Sequence, residues 1–220
     1  RFKQYDFFQV TGLSLPCEQV GGDYFDLIEI PGNRYGFVMA DVSGKGVSAA
    51  LLTSILQGAF SATAALGQPP ERIAQHVNRF ISERAGVNRY STLFYGVLEP
   101  EGTFTYVNAG HLPPLLLHCD RSLERLPAES FPLGLFAHAD YPAKQCRLAP
   151  GDTLVFYTDG VTEAENNGKQ FEITGLTESL KRHRKLSAQD ILSSIVSDVY
   201  NFIGDSKVYD DISMLVIKQK

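Results

Sequence analysis

Strand-like and helix-like segments are grouped along this chain, and this grouping limits the fold more than any other feature of the sequence. Strand patterns bounded by turn residues occur at 8–15, 23–30, 35–42, 91–98, 103–108, 115–118, 143–148, 153–158 and 212–217. Helical patterns occur at 48–66, 69–83, 175–184 and 188–202. Because strands follow strands and helices follow helices, the order argues against βαβ winding and predicts an α+β fold with antiparallel sheets.

Length and composition favour one domain with a sizeable core. The chain has 220 residues, of which 44% are hydrophobic, and one domain is more economical at this length than two small ones, which stay an alternative. The net charge is −5, so no basic stripe indicates nucleic-acid binding. Cys17, Cys119 and Cys146 lie far apart and form no CxxC zinc pattern, and their odd number fits reduced thiols better than a disulfide framework.

The sequence also suggests where such a domain works. Apolar runs such as 115–117 are too short to span a bilayer, so we expect a soluble domain without membrane contact of its own. The chain starts at arginine, with neither an initiator methionine nor a signal peptide. We therefore expect a cytoplasmic domain cut from a longer protein, which could itself be membrane-anchored.

The stretch GGDYFD at 21–26 is close to the GGDEF signature of cyclic-dinucleotide cyclases. In that family the signature lies deep inside an alternating α/β domain, on a hairpin that follows a metal-binding strand. Here only twenty residues and no predicted helix precede it. A cyclase is therefore a remote alternative, and the two glycines indicate only a close approach of the backbone beside a carboxylate.

Aspartates occur where predicted strands begin or end. Asp23 opens one strand, Asp41 ends another, Asp159 follows the strand at 153–158, and Asp210 precedes the last strand. Clustered carboxylates repel one another unless a cation balances them. Mg²⁺ and Mn²⁺ prefer such oxygen ligands, so a divalent metal site is the functional interpretation. A turn or a helix cap remains the structural alternative for each aspartate alone.

Five segments together resemble a known family. They are GGDYFD (21–26), ADVSGKGVSAALL (40–52), YVNAGHLPP (106–114), VFYTDGVTEA (155–164) and DDIS (210–213). In this order and spacing the chain is similar to the bacterial SpoIIE-type members of the metal-dependent (PPM, type 2C-like) protein serine/threonine phosphatases. That resemblance implies a four-layer αββα sandwich, with two antiparallel sheets face to face and helices outside.

The resemblance also implies a site that holds two Mg²⁺ or Mn²⁺ ions. Asp41 would bridge the two ions, and Asp23 and the carbonyl of Val42 would complete the shell of the second. Asp159 and Asp210 would hold the first ion, and metal-activated water would attack the phosphorus of phosphoserine or phosphothreonine. No covalent enzyme intermediate is implied.

Other positions depart from the family pattern or allow a structural interpretation. Asp211 stands where relatives have Asn or Asp and is a supporting residue. Ser43 and Val42 replace a histidine and a glycine of the eukaryotic branch, so the leaving-group proton must come from water or another group. Lys45 fits a solvated turn residue rather than a phosphate loop, since Gly46 follows it. For His111, a structural role is favoured over contact with substrate.

The functional expectation is a phosphoprotein phosphatase in a bacterial signalling switch. The resemblance suggests that its partner is a phosphorylated anti-sigma-factor antagonist. The alternative is a catalytically silent docking module of the same fold, which would have no need of the aspartates. The apolar excess of the helix at 48–66 could also serve as a docking face for a sensor domain or for a second copy in a homodimer.

Overall fold

The computed structural model describes residues 2–17, 20–44, 46–84 and 89–220, and Lys45 therefore lies outside the described residues. The chain divides into two compact units. The first unit consists of the N-terminal segment to residue 17, Pro114–Leu126 and Leu148–Lys220. The second unit consists of Val20–Pro113 and Pro127–Arg147. Each unit contains one main antiparallel sheet and its own helices, and the first unit also contains a small two-stranded sheet.

The elements alternate between strand blocks and helix blocks, as the sequence predicts. The strands are β1 (Phe2–Gln4), β2 (Phe8–Leu15), β3 (Asp23–Ile30), β4 (Arg34–Val42), β5 (Ser91–Leu98), β6 (Thr103–Ala109), β7 (Leu115–Leu117), β8 (Leu123–Arg125), β9 (Lys144–Arg147), β10 (Thr153–Tyr157), β11 (Glu165–Asn166), β12 (Lys169–Gln170) and β13 (Ile212–Gln219). The helices are α1 (Val47–Ala64), α2 (Pro70–Arg84), α3 (Asp159–Thr162), α4 (Glu172–His183) and α5 (Ala188–Ile203).

The second unit is built on a five-stranded sheet of order β3-β4-β5-β6-β9, in which all neighbours are antiparallel. Helix α1 packs on β3 and β4, and α2 packs on β5 and β6. The helices contribute apolar residues at helical spacing, including Leu52, Leu56 and Phe60 from α1, to one buried cluster with the sheet. The edge of Phe60 meets the ring of Tyr95 at a centroid distance of 4.7 Å. This packing holds the ends of β3 and β4, where Asp23 and Asp41 lie.

The first unit is built on a six-stranded sheet of order β1-β2-β13-β10-β7-β8, again antiparallel. Helix α5 packs on β2 and β13, and its apolar face, which includes Ile191, Ile195 and Val199, is buried. Its N-terminus is capped by Ser187, whose hydroxyl accepts a hydrogen bond from the Asp190 amide at 3.2 Å. The centre of this sheet is the β13–β10 pair. Because these strands are antiparallel, the residues that follow β10 and those that precede β13 lie at the same end of the pair.

The predicted α+β class with two antiparallel sheets is confirmed. The sequence analysis missed β1, β8, α3 and the small β11–β12 sheet, because elements of two to four residues carry no readable period. Helix α4 begins at Glu172, three residues before the predicted start at 175, since its first turn lacks the apolar spacing on which the prediction depended.

Helix α1 is long and apolar enough to cross a membrane by length and composition alone, with a hydropathy of 1.3 over its 18 residues. One face of α1 is buried in the core of the second unit. The other face exposes Val47, Leu51 and Ile55, which are 71%, 61% and 44% accessible. The sequence expectation considered only short apolar runs, and it did not identify this helix as a candidate span.

Candidate active site

Asp23 and Asp41 face each other across the β3–β4 pair. Asp23 is the first residue of β3, Asp41 is the last but one of β4, and the register makes them direct partners. Direct cross-strand partners have Cβ atoms about 4.5–5.5 Å apart, and like charges in this arrangement destabilise the pair. Both residues are half-buried. The arrangement therefore favours a bound cation between or beside the two carboxylates.

Residue 22, next to this pair, is a glycine, and we call the position that its missing side chain leaves unfilled the recess at Gly22. A Cβ placed on Gly22 would lie 3.0 Å from the carbonyl oxygen of Val42 and 3.6 Å from Oδ1 of Asp41. The Gly22 carbonyl is itself held, since it accepts hydrogen bonds from the Val42 amide at 3.3 Å and the Thr53 hydroxyl at 3.0 Å. Two oxygens thus approach one point that no side chain of residue 22 occupies.

Polar residues continue across the same sheet from Asp41 to β5 and to the loop after β6. Thr92 is the direct partner of Asp41 in the β4–β5 register. Its hydroxyl lies 2.9 Å from Nδ1 of His111, and the His111 amide donates to Oδ1 of Asn108 at 2.8 Å. The hydroxyl of Ser91 donates to the Asp41 carbonyl at 2.9 Å. These hydrogen bonds fix the end of β4, so His111 is a buried supporting residue, as its structural interpretation predicts.

In the first unit, Asp159 lies against the segment that carries Asp210 and Asp211. Asp159 opens α3, and a Cβ on the next residue, Gly160, would lie 2.1 Å from the Asp211 carbonyl oxygen. The neighbouring hydroxyl of Thr158 donates to the same carbonyl at 3.2 Å. Only a glycine permits this contact between backbones. The β10–β13 pairing therefore places the start of α3 beside the residues that precede β13.

Cys17 joins this acidic cluster, which the sequence analysis did not foresee. Ligand atoms of Cys17, Asp210 and Asp211 lie within 4.8 Å of one another. The Cys17 amide donates to Oδ1 of Asp211 at 2.8 Å, and the Asp211 amide donates to Oδ1 of Asp210 at 2.9 Å. Asp211 thereby ties the end of β2 to the start of β13. No sequence pattern links residues 17 and 211, and only the β2–β13 register brings them together.

Ser43, which stands where the eukaryotic branch has a histidine, joins two segments of the second unit. Its amide donates to the Tyr90 carbonyl at 3.0 Å, and its hydroxyl accepts a hydrogen bond from the Tyr90 amide at 3.1 Å. These two bonds connect the chain after β4 to the chain before β5. Ser43 therefore has a structural role next to Asp41.

Comparison with known proteins identifies the family. The family model for Stage II sporulation protein E (SpoIIE) matches residues 31–220. The chain belongs to the SpoIIE family. It is 27% identical over 219 residues to phosphoserine phosphatase RsbU of Bacillus subtilis, and the match covers 99% of this chain and 65% of RsbU. The chain thus spans just under two thirds of that relative.

Solved structures show the same fold as this member of the SpoIIE family. The PP2C phosphatase domain of SpoIIE from Bacillus subtilis, solved with a fragment of its regulatory domain, matches with a TM-score of 0.81 at 18% identity, over 97% of this chain and 64% of that one. RsbX in complex with magnesium matches with a TM-score of 0.77 at 16% identity, over 100% of this chain and 99% of that one.

The side chains present fit the divalent metal that is typical of the SpoIIE family and its PP2C-type fold. In the second unit, the recess at Gly22 is bordered by a carbonyl and a carboxylate oxygen, next to Asp23. In the first unit, the backbone directly after Asp159 contacts that of Asp211, and the carboxylates of Asp210 and Asp211 lie near the thiol of Cys17. Oxygen donors of this kind suit hard cations. The thiol of Cys17 is the one soft donor in the described cluster.

Proposed function

We propose that this chain is a divalent-metal-dependent protein phosphatase domain that hydrolyses phosphoserine or phosphothreonine. The observation that carries the proposal is the direct pairing of Asp23 with Asp41 beside the recess at Gly22, in a chain of the SpoIIE family. Two like charges opposite each other weaken a sheet. A function that needs a cation at this point accounts for their presence.

We propose that Mg²⁺ or Mn²⁺ occupies two positions at this site. Asp41, Asp23 and the carbonyl of Val42 would hold one ion, and Asp159 and Asp210 would hold the other. When bound, such ions supply a water of lowered pKa, orient it in line with the phosphorus and screen the phosphoryl oxygens.

The chain's own residues hold these ligands in place. Ser91 donates to the Asp41 carbonyl, and Thr92 connects the same end of β4 to the buried His111. Gly160 allows the start of α3 to touch the backbone of Asp211. Ligands held by packing and hydrogen bonds need no rearrangement during the reaction, which is the usual requirement for electrostatic catalysis.

We propose that no cysteine acts as a nucleophile. Cys119 is exposed in the turn between β7 and β8, and Cys146 lies on the edge strand β9. Cys17 lies within 4.8 Å of carboxylate oxygens of Asp210 and Asp211, so it stands beside a proposed metal ligand and not in a separate phosphate-binding loop. Water is therefore the attacking group, and the phosphoryl group passes directly from the substrate oxygen to water.

We further propose that the substrate is a phosphorylated anti-sigma-factor antagonist, and that the domain is the output part of a larger cytoplasmic signalling protein with its own sensor. The name of RsbU as a phosphoserine phosphatase supports the phosphoserine substrate. The match to 65% of RsbU supports a longer parent protein.

Hydrolysis of p-nitrophenyl phosphate in parallel with Mn²⁺, Mg²⁺, Ca²⁺ and chelator tests the proposal. We expect activity with Mn²⁺ or Mg²⁺ and none in chelator. A docking module would show no metal-dependent hydrolysis, and equal rates in chelator would exclude the mechanism. Phosphoserine peptides and phosphorylated candidate antagonists then test the substrate class.

Gly22→Ala gives a sharper test of the recess. The added Cβ would lie 3.0 Å from the Val42 carbonyl oxygen, so we expect the variant to need a higher metal concentration for half-maximal activity. Gly58→Ala on α1, where nothing lies within 4 Å of the added Cβ, is the matched control. The same metal dependence in both variants would show that the recess takes no part in binding.

A further inference from the structure

One cavity in the first unit is bordered by an unusual concentration of positively charged side chains. It has a volume of about 550 Å³, and five basic side chains border it: His118, Arg121, Arg184, Lys185 and Lys218. No acidic side chain lines it among the residues that the structure describes. An adjoining cavity of about 320 Å³ shares Lys185 and Lys218 and adds a further lysine at the C-terminus. In a chain of net charge −5, this concentration favours an anionic ligand.

Arg121 reaches the cavity from a strained turn. Its φ is +77°, in the left-handed region that favours glycine or asparagine. The turn is closed by hydrogen bonds from the Arg121 amide to the His118 carbonyl and from the His118 amide to the Ser122 carbonyl, both at 2.9 Å. The backbone there would accept glycine or asparagine at lower energy. What arginine adds at this position is a long cationic side chain that borders the cavity.

The basic residues come from separate elements, so one helix end does not explain them. Cations near a helix C-terminus interact favourably with its dipole, and this accounts for Arg184 and Lys185, which follow α4. Lys218 comes from β13, and its ammonium donates to the carbonyls of Arg184 at 2.7 Å and Leu186 at 2.6 Å. Burial lowers the pKa of Lys218. A bound anion would offset that desolvation. Arg121 belongs to the β7–β8 turn and gains nothing from the α4 dipole.

Among the described residues that border the cavity, the histidine is the one paired with nearby carboxylates. His118 Nδ1 lies 2.9 Å from Oδ2 of the buried Asp152, and its Nε2 lies 3.7 Å from Oε2 of Glu124. The Asp120 carboxylate is engaged with the amide and hydroxyl of Ser122. The two arginines and two lysines therefore carry the charge that faces the cavity.

We propose that this cavity binds a compact polyanion that bears more than one phosphate group. Arginine offers a planar fork for phosphate oxygens and lysine a point charge, so the four cations suit several phosphate groups better than one carboxylate. The volume fits a small molecule. No phenylalanine, tyrosine or tryptophan lines the cavity among the described residues, which favours recognition through the phosphates over stacking of a base on such a ring.

The cavity is distinct from the proposed metal site. Thr153 and Lys218 lie at one end of the β10–β13 pair, where they are direct partners. Asp159 and Asp210 lie beyond the other end of the same two strands. Thr153 and Asp159 are six positions apart, and six residues of extended chain span about 20 Å. The inference therefore goes beyond phosphatase activity and does not depend on it.

Isothermal titration with sodium tripolyphosphate in chelator, without divalent metal, tests the proposal. We expect binding that weakens at high salt. Arg121→Asn and Lys185→Gln should each weaken it about tenfold or more, because each removes a charge-assisted contact. Lys181→Gln is the matched control: it also removes a cation near the end of α4, but Lys181 does not line the cavity. Arg121→Asn should melt at the same or a higher temperature than the parent, because asparagine tolerates the left-handed backbone.

The outcomes distinguish between the classes of anion that the cavity could bind. Tighter binding of ATP than of tripolyphosphate would indicate a nucleotide, and equal binding would indicate recognition of the phosphate chain alone. Tighter binding of a polyglutamate peptide would overturn the proposal in favour of an acidic protein segment. Affinity for tripolyphosphate no greater than for sulfate at equal ionic strength, or an equal effect of the Lys181 and Lys185 variants, would also overturn it.

Discussion

Asp41→Asn should separate stability from activity at the proposed metal site. The substitution removes one charge at nearly constant shape from a direct cross-strand pair with Asp23. With Cβ atoms about 5 Å apart, the two charges lie about 6 Å apart. Coulomb's law then gives a repulsion of about 1–3 kcal/mol for effective dielectric constants between those of water and a protein surface. Without metal, the variant should therefore melt at least about 2 °C higher than the parent.

With metal, the order should reverse. At a metal concentration about 100-fold above the dissociation constant, binding stabilises the parent by about 2.7 kcal/mol, which corresponds to a rise of about 5–10 °C. Asp41→Asn should lose most of this rise because a ligand of the proposed metal site is gone. Hydrolysis of p-nitrophenyl phosphate should fall by about 100-fold or more, since several kcal/mol of charge stabilisation are lost.

Asp26→Asn is the matched control on the same strand. Its direct partner across the sheet is Val38, so it faces no like charge. Its Oδ1 accepts a hydrogen bond from the Leu27 amide at 2.8 Å, which an asparagine side chain can also accept. The melting temperatures of this control with and without metal, and its hydrolysis rate, should equal those of the parent. An Asp41→Asn protein that keeps both its activity and its metal-induced stabilisation would refute the assignment of the pair.

Four further substitutions test other parts of the structure. Gly160→Ala should lower stability by about 1–3 kcal/mol and reduce hydrolysis, because the new Cβ would meet a carbonyl oxygen at 2.1 Å. Gly58→Ala on an open helix face should raise stability by about 0.4–1 kcal/mol. Equal denaturant midpoints for the Gly160→Ala and Gly58→Ala proteins would contradict this expected difference. Burial opposes protonation of His118, but its hydrogen bond to Asp152 and nearby acidic charges outweigh this and raise its pKa. The melting-temperature advantage of the parent over His118→Gln should therefore be full below about pH 6.5 and shrink as pH rises through the folded pKa, and a constant difference would contradict the pairing. Cys17→Ser should retain Mn²⁺-dependent hydrolysis, and loss of activity in a folded variant would reveal a chemical role for the thiol.

Local patterns were enough to predict the fold class and the candidate ligands. Strand and helix periods depend on neighbouring residues, so the grouping of elements could be predicted before any contact was known. Asp23, Asp41 and Asp159 could be singled out because each stands where a local strand pattern begins or ends. Short elements such as α3 could not be predicted, since four residues give no periodic signal.

The contacts that complete these sites depend on strand register, which no local pattern encodes. The Cys17 amide binds Asp211 across 194 positions of sequence, because β2 pairs with β13. Thr92 stands beside Asp41 only because β5 follows β4 in that register. The basic cavity gathers a turn, a helix end and a strand that are remote in sequence. The sequence thus determined which chemical groups stand at the strand ends. The tertiary structure decided which of them meet, because pairing of distant strands is set by the packing of whole sheets and helices rather than by neighbouring residues.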